Sequence, residues 1–230
     1  MSRYGMRIMG MLLLAMPVLI VISWTGLMIS FDYPDILRKP TATILQQFEE
    51  GGVTLRMYWA GMVVSSLLII PIVMLLYRLT SPINRSLSLV AAGIGFASAI
   101  FHVVGFSRWL FAVDGLAAQY GDNEHLSPAR REAIEVIFDA LHTYLGVTIG
   151  ETLGFATMGV FAVMTAFTLY QSGFIPRWAA ALFALCGIGI TAGILEWTGW
   201  SAAADVNAYA YQLWILILAC LGVSFIARKE

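Results

Sequence analysis

Six long apolar stretches alternate with short polar segments along this chain. A helix needs about 20 apolar residues to cross roughly 30 Å of hydrocarbon, and each stretch is long enough. Alternating ten-residue strands of the membrane-barrel type do not occur, and lipid offers the backbone no partners outside a helix. The pattern therefore predicts an all-α polytopic membrane protein, a six-transmembrane-helix bundle, with residues 1–230 as a single transmembrane domain. The predicted spans cover approximately residues 9–30, 55–77, 86–109, 147–170, 178–197 and 208–226.

Two of the longer connections predict additional short helices outside the membrane. In the first, Thr41 or Thr43 can cap a short helix. In the second, Ser127 is a natural N-cap and Pro128 takes the first helical position. Apolar residues then recur at helical spacing, which predicts an amphipathic helix over about residues 128–145. This helix is expected either to lie on the membrane surface or to extend the fourth span outward.

The charged residues indicate the orientation of the bundle. The chain is 60% hydrophobic, 12% charged and has a net charge of −1. Because basic residues favour the cytoplasmic side, the N-terminus, C-terminus and two shortest connections are predicted to be cytoplasmic, and the short helices extracytoplasmic. No basic cluster is long enough to follow a phosphate backbone, so nucleic acid is not an expected partner. The basic residues on the predicted cytoplasmic side are Arg3, Arg7, Arg78, Arg85, Arg177, Arg228 and Lys229.

Two carboxylates, Glu151 and Glu196, lie inside apolar stretches. An ionisable group in a membrane segment is costly, so it usually faces the protein interior or a water-filled cavity. Counting about 1.5 Å per residue from the cytoplasmic turns places both carboxylates and His102 roughly 25 to 30 Å away, at the outer boundary. Small residues on the same helix faces indicate that these side chains point into the bundle. The expected ligand-binding residues of this layer are Glu151, Glu196, His142, His102, Asp139, Arg108, Arg56, Trp59 and Trp197.

Several of these positions also have a purely structural interpretation. The ridge of Gly146, Gly150 and Gly154 is most simply a packing seam between helices. His102 fits a neutral, hydrogen-bonded core histidine, and the two carboxylates fit interhelical hydrogen bonds. His142 and His125 fit solvated surface positions.

Three classes of function fit this layer of side chains. The first is a binding or sensing protein whose outward-facing polar and aromatic pocket takes a small amphipathic or lipid-like ligand. The second is an intramembrane enzyme, in which a divalent metal is held by His102, His142 and Glu151, or in which Glu151 and Glu196 act as a hydrolase-like acid–base pair. The third is a proton-coupled transporter, although the inner halves of the spans carry almost no ionisable residue.

The metal hypothesis has a geometric condition. His142 and Glu151 are nine residues apart, which is about 180° around a straight α-helix. Both side chains could reach one ion only if the helix kinked at Gly146 or Gly150. Haem ligation by the two histidines is a less favoured alternative.

Residues 31–40 (FDYPDILRKP) and 146–154 (GVTIGETLG) resemble an uncharacterised family of bacterial six-helix membrane proteins. The similarity covers nearly the whole chain. It implies the six-helix fold and the bacterial cytoplasmic (inner) membrane, and it implies no activity, substrate or cofactor. The sequence indicates no oligomeric state. Positions that recur in the family are matched by Asp32, Pro34, His142 and Glu151.

Overall fold

The computed structural model describes residues 3–121 and 126–228, so the predicted surface residue His125 and the basic Lys229 lie outside it. Within the described residues the chain is helical and contains no β-strand. The α-helices are α1 (Arg3–Phe31), α2 (Thr41–Glu50), α3 (Gly52–Thr80), α4 (Arg85–Arg108), α5 (Asp114–Gly121), α6 (Pro128–Leu141), α7 (Gly154–Gln171), α8 (Arg177–Ala192) and α9 (Ala203–Ala227). Two π-helical segments, Trp109–Val113 and His142–Leu153, and two 3-10 segments, Asp35–Arg38 and Gly193–Thr198, connect or extend them.

Six helices in the described residues are long and apolar enough to cross a membrane, which confirms the predicted all-α six-span fold. An even number of antiparallel spans places both termini at one end of the bundle, here called the terminal end. The opposite end, where α2 and α6 lie, is called the loop end. Which side of the membrane each end faces stays a prediction. The six spanning helices cover Arg3–Phe31, Gly52–Thr80, Arg85–Gly121, Pro128–Gln171, Arg177–Thr198 and Ala203–Ala227.

The two short helices begin in different ways. The predicted N-cap of α6 is confirmed, because the Ser127 hydroxyl accepts a hydrogen bond from the Arg130 backbone N–H. The predicted threonine cap of α2 is wrong. The backbone carbonyl of Pro40 accepts the first hydrogen bonds of α2, and the Thr41 hydroxyl donates instead to the Asp139 carboxylate on α6. The hydroxyl therefore ties the two short helices together.

The amphipathic segment extends the fourth span rather than forming a separate surface helix. Residues from Pro128 to Gln171 form one continuous 44-residue helical stretch. At 1.5 Å per residue this stretch measures about 66 Å, roughly twice the hydrocarbon thickness. α6 therefore projects beyond the loop end, where Ile134 and Phe138 are buried.

The loop end has a core of its own that is rich in aromatic rings. Trp59 and Trp109 stack with their ring centroids 4.7 Å apart and an angle of 9° between the planes. Phe31 meets the Trp109 ring edge-on at 5.3 Å, and Phe48 of α2 stacks on the same ring at 5.6 Å. Phe138 of α6 joins the same cluster. Through these contacts α2 and α6 form a cap on the bundle.

Glycine pairs bring neighbouring spans into close contact away from this cap. A Cβ atom at Gly10 of α1 would lie 2.7 Å from the carbonyl oxygen of Gly222 on α9. A Cβ atom at Gly159 of α7 would lie 2.4 Å from the carbonyl oxygen of Gly187 on α8. Such distances leave no room for a side chain, as is typical of membrane helices that pack through small residues.

The Gly159 contact generates a stability prediction. In Gly159→Ala the new methyl group would meet both the Gly187 carbonyl and, at 2.0 Å, the Thr191 hydroxyl, so α7 and α8 must separate. We expect a loss of about 1–3 kcal/mol in the free energy of unfolding, measured by thermal unfolding in detergent. The matched control is Gly93→Ala, because a Cβ atom at exposed Gly93 meets nothing within 4 Å. Equal unfolding temperatures for the two variants would contradict the prediction.

Candidate functional site

A cavity of about 310 Å³, the main cavity, lies in the loop-end half of the bundle. Five of the six spans line it, and most of its wall is apolar, including Ile69, Phe106, Phe155 and Met158. A few polar side chains interrupt this wall. They are Tyr33, Ser65, Ser66, His102, Arg108, Glu151, Asn207, Tyr211 and Gln212.

Arg108 is the buried cation of the main cavity. Its side chain lies near the loop-end terminus of α4 and is only 6% exposed. Nη1 donates a hydrogen bond of 2.5 Å to the carbonyl oxygen of Gly105, and the guanidinium carbon lies 5.1 Å from the Trp109 ring centroid. Its Nε has no hydrogen-bond partner, and none of the ion pairs among the described residues includes Arg108. Burying a charge without a directly paired counter-ion costs free energy. Such a residue is unusual unless it serves a ligand.

Three indole N–H groups of the described residues are also buried without a hydrogen-bond partner. Nε1 of Trp59, Trp109 and Trp214 is buried and without a partner in the described part of the chain, and all three residues line the main cavity. An indole N–H and a guanidinium N–H can only donate. These residues of the cavity wall therefore contain buried donors that no protein acceptor in the described residues satisfies.

Tyr33 is a further polar side chain of the main cavity, at the loop end of the bundle. It follows α1 and lines the main cavity, with its ring 5.3 Å from that of Trp59. Burial, reinforced by the negative charge of Glu151, raises the pKa of the Tyr33 hydroxyl well above its usual range. The hydroxyl therefore keeps its proton at neutral pH.

His102 is saturated by protein partners. Its Nδ1 lies 2.8 Å from the carbonyl oxygen of Ser98, and its Nε2 lies 3.0 Å from the Tyr211 hydroxyl. Because a carbonyl only accepts, Nδ1 carries the proton and Nε2 accepts from the tyrosine. This arrangement matches the core-histidine interpretation and leaves neither ring nitrogen free.

A second, smaller cavity of about 210 Å³ opens beside the first and is here called the vestibule. Glu151 and Phe155 line both cavities, so the two are adjacent. Glu196 also lines the vestibule and forms an ion pair with Arg38 across it. Both side chains of this pair are close to half exposed. The two carboxylates that the sequence singled out thus face one space. The other vestibule residues include Leu37, His142, Val147, Thr152 and Trp197.

The π-helical segment His142–Leu153 sets the relative position of His142 and Glu151. The hydroxyls of Thr148 and Thr152 each donate to the carbonyl five residues earlier, at 3.1 and 2.9 Å. With about 4.4 residues per turn, nine residues make close to two full turns. His142 and Glu151 therefore share the vestibule face, whereas α-helical spacing would put them on opposite sides.

The Gly146, Gly150 and Gly154 ridge packs on the face of α4 that carries the site. A Cβ atom at Gly146 would lie 2.6 Å from Nη2 of Arg108, and one at Gly154 would lie 3.1 Å from Cε1 of His102. Gly150 meets the backbone of Gly105, with a Cβ-to-Cα distance of 3.0 Å. The ridge is thus a packing seam, and it also makes room for two site residues.

The residues suggested for metal binding are distributed over the two cavities. His102 lines the main cavity, His142 lines the vestibule, and Glu151 lines both. Within residues 3–121 and 126–228, no group of three or more His, Cys, Asp and Glu side chains is placed to hold a metal ion.

A family model described as a domain of unknown function, DUF4386, matches residues 8–226. The chain belongs to the DUF4386 family. The match covers most of all six spans and both stretches, 31–40 and 146–154, that carry the resemblance in sequence. No curated protein and no solved structure matches the chain. The family description names no activity, so the site itself has to indicate the function of this DUF4386 chain.

The remaining candidate residues have structural partners at the loop end. Arg56 bonds to Asp114 and, at 3.0 Å, to Glu49. Asp139 accepts from Thr41. These three acids and their partners hold the cap on the bundle of this DUF4386 chain.

The sequence analysis missed several residues that line the two cavities. Tyr33 and Arg38 belong to the 31–40 stretch shared with the family, so that stretch was the signal that could have found them. Asn207 and Tyr211 lie on α9, and nothing in their local sequence marks them as site residues.

The glycine ridge gives a pair of contrasting variants. Gly150→Ala should destabilise the fold by about 1–3 kcal/mol, because its methyl group meets the Gly105 backbone, which cannot move aside. Gly146→Ala should cost less, because its methyl group meets the flexible end of Arg108, which can shift. Thermal unfolding of both variants in one detergent checks the order. A larger loss for Gly146→Ala would show that Arg108 is held rigidly.

Proposed function

We propose that the protein binds a small amphipathic or lipid-like molecule in the main cavity. The observation that supports this proposal most strongly is the buried, unpaired Arg108 in a wall made largely of apolar side chains. A concave apolar pocket with a few converging polar groups is the usual form of a ligand site, and about 300–1,000 Å³ is the usual size. At about 310 Å³ the cavity reaches the lower limit of that range.

The exposed lining residues indicate how such a ligand would enter. Val21, Thr25 and Met28 of α1 and Gln212 of α9 line the main cavity and are exposed. The two helices are in glycine contact at the terminal end, through Gly10 and its partner on α9. A gap between α1 and α9 in the loop-end half would therefore open the cavity sideways to the bilayer, which favours a ligand already dissolved in lipid.

We also propose the setting of this site. The setting is the cytoplasmic membrane of a bacterial cell, and the basic residues of the terminal end support a cytoplasmic position of the termini. The main cavity and the vestibule would then lie at the outer leaflet, and the pocket would face outward.

An intramembrane hydrolase is the second candidate. The observation that favours it is the convergence of His142, Glu151 and Glu196 on the vestibule. A histidine and two carboxylates can act as general acid and base on a substrate whose head group enters this space. The apolar main cavity would hold the tail of the same substrate.

Co-purification tests the binding proposal. We expect native mass spectrometry of the purified wild-type protein to show bound lipid-like adducts. Ala208→Phe places a ring in the wall of the main cavity and should remove most of them. Leu213→Phe changes the exposed face of the same helix and should retain them. Folded protein free of adducts in several detergents, or equal adducts in both variants, would count against the proposal.

Ester hydrolysis tests the second candidate. We expect a hydrolase to release p-nitrophenol from p-nitrophenyl decanoate and to lose roughly 10²-fold or more of that rate in Glu151→Gln. Glu132→Gln is the control, because Glu132 is an exposed carboxylate of α6 outside both cavities. Equal rates in the wild type and both variants would eliminate the hydrolase.

A further inference from the structure

We infer that the molecule in the main cavity carries an oxyanion head group, held by Arg108, on a single apolar chain, and that a fatty acid carboxylate fits best. The inference rests on the proposed binding function of the cavity and adds the chemical class and the orientation of the ligand. Its basis is Arg108, a buried guanidinium in the apolar wall of that cavity.

The guanidinium of Arg108 requires an acceptor. Its Nε is buried without a hydrogen-bond partner, and Arg108 forms no ion pair within the described residues. Leaving a buried donor unsatisfied is costly, and an anionic oxygen can accept from a guanidinium.

The guanidinium is suited to a carboxylate in particular. It has five N–H donors in a planar fork that matches two carboxylate oxygens. Arg108 uses Nη1 for the Gly105 carbonyl, and Nη2 lies against the bare backbone of Gly146. A bidentate head group would neutralise the buried charge, which no ion pair does within the described residues.

The depth of Arg108 fits the head group of a lipid. Twenty-four residues of α4 from Arg85 to Arg108 span about 36 Å at 1.5 Å each, close to the thickness of the hydrocarbon layer. The guanidinium therefore lies at the membrane boundary. The apolar lining residues Ile20, Ile69 and Ile215 continue from there toward the middle of the bilayer. A ligand with its head at Arg108 and its tail along these residues keeps the orientation that it has in a leaflet.

Two features narrow the ligand further. The volume of about 310 Å³ suits one chain better than the two chains of a phospholipid. Glu151 lines the cavity as well, and its negative charge acts on Arg108. When ionised, this carboxylate would repel a doubly charged head group more strongly than a singly charged one, which favours a carboxylate over a phosphate monoester.

Quenching of tryptophan fluorescence by dibromostearic acid tests the inference. The protein is placed in phosphatidylcholine nanodiscs, and the acid is compared with its methyl ester, which has the same tail and no charge. Quenching of the exposed Trp178, Trp197 and Trp200 from the lipid phase should be the same for both probes. Only binding in the main cavity brings the bromines to buried Trp59 and Trp109. We expect the acid to bind roughly tenfold tighter than the ester, as charge-assisted hydrogen bonds predict.

Variants assign that difference to Arg108. In Arg108→Met the acid and the ester should quench equally, because the donor fork and its charge are gone. Arg85→Met makes the same change at the exposed opposite end of α4 and should keep the difference. Arg108→Lys retains the charge without the fork and should give an intermediate ratio. It also provides a folded comparison if the methionine variant does not purify.

A displacement measurement and a further variant test the head group and the residue near it. Oleate should displace the bromo-acid better than oleoyl-lysophosphatidate, whereas the opposite order would assign the site to phosphate lipids and overturn the carboxylate assignment. Glu151→Gln should leave the acid-to-ester ratio equal or larger, because a repelling charge is removed. If the acid-to-ester ratio fell as far in Glu151→Gln as in Arg108→Met, the inference would be overturned in favour of a cationic ligand.

Two different results separate a failure of ligand binding from a failure of oxyanion recognition. If neither probe quenches beyond the lipid-phase contribution, the main cavity binds no such chain and the proposed function itself is contradicted. If acid and ester quench the buried tryptophans equally in the wild type, binding stands and the oxyanion inference is overturned.

Discussion

The burial of one guanidinium against a ridge of glycines is the constraint on which the loop-end half of this bundle depends. Arg108 lies where a side chain of Gly146 would be, and α4 comes close to the π-helical segment only because Gly105 and Gly150 meet backbone to backbone. The same seam leaves space for His102 beside Gly154. Packing and candidate chemistry therefore have a common origin, since the small residues that let these helices approach also admit the polar side chains of the site.

The π-helical segment is the second feature that shapes the site. It links the two cavities because its residue Glu151 lines both. Hydrogen bonds to the fifth preceding residue widen the helix between α6 and α7 and turn Glu151 to a position below His142. π-helical segments are uncommon and occur frequently at functional sites. Here the segment directs one carboxylate to the boundary between an apolar cavity and a more exposed, charged vestibule, where it neighbours Glu196 and the buried arginine.

The cap of α2 and α6 protects this site from the loop end. Aromatic side chains of the cap pack on the stacked Trp59 and Trp109, which are themselves walls of the main cavity. Burial of these large rings holds the cap in place. Polar contacts, such as the hydrogen bond from Thr41 to Asp139, fix the orientation of α2 relative to α6. The exposed lining residues of the main cavity lie on α1 and α9, where we propose that a ligand enters.

The sequence by itself determined the class of fold, because lipid leaves a backbone no alternative to helices and six apolar stretches are unmistakable in a chain of this composition. It also predicted a common depth for Glu151, Glu196 and His102, because helical rise converts residue counts into height. Tertiary structure alone decided which side chains meet. The facing of Glu151 required a π-helix that α-helical periodicity cannot reveal, and the vestibule needed Arg38, whose contact with Glu196 spans 158 positions of chain. That Arg108 is buried without a direct ion pair in the described residues follows from the packing of separate helices, which no local pattern encodes.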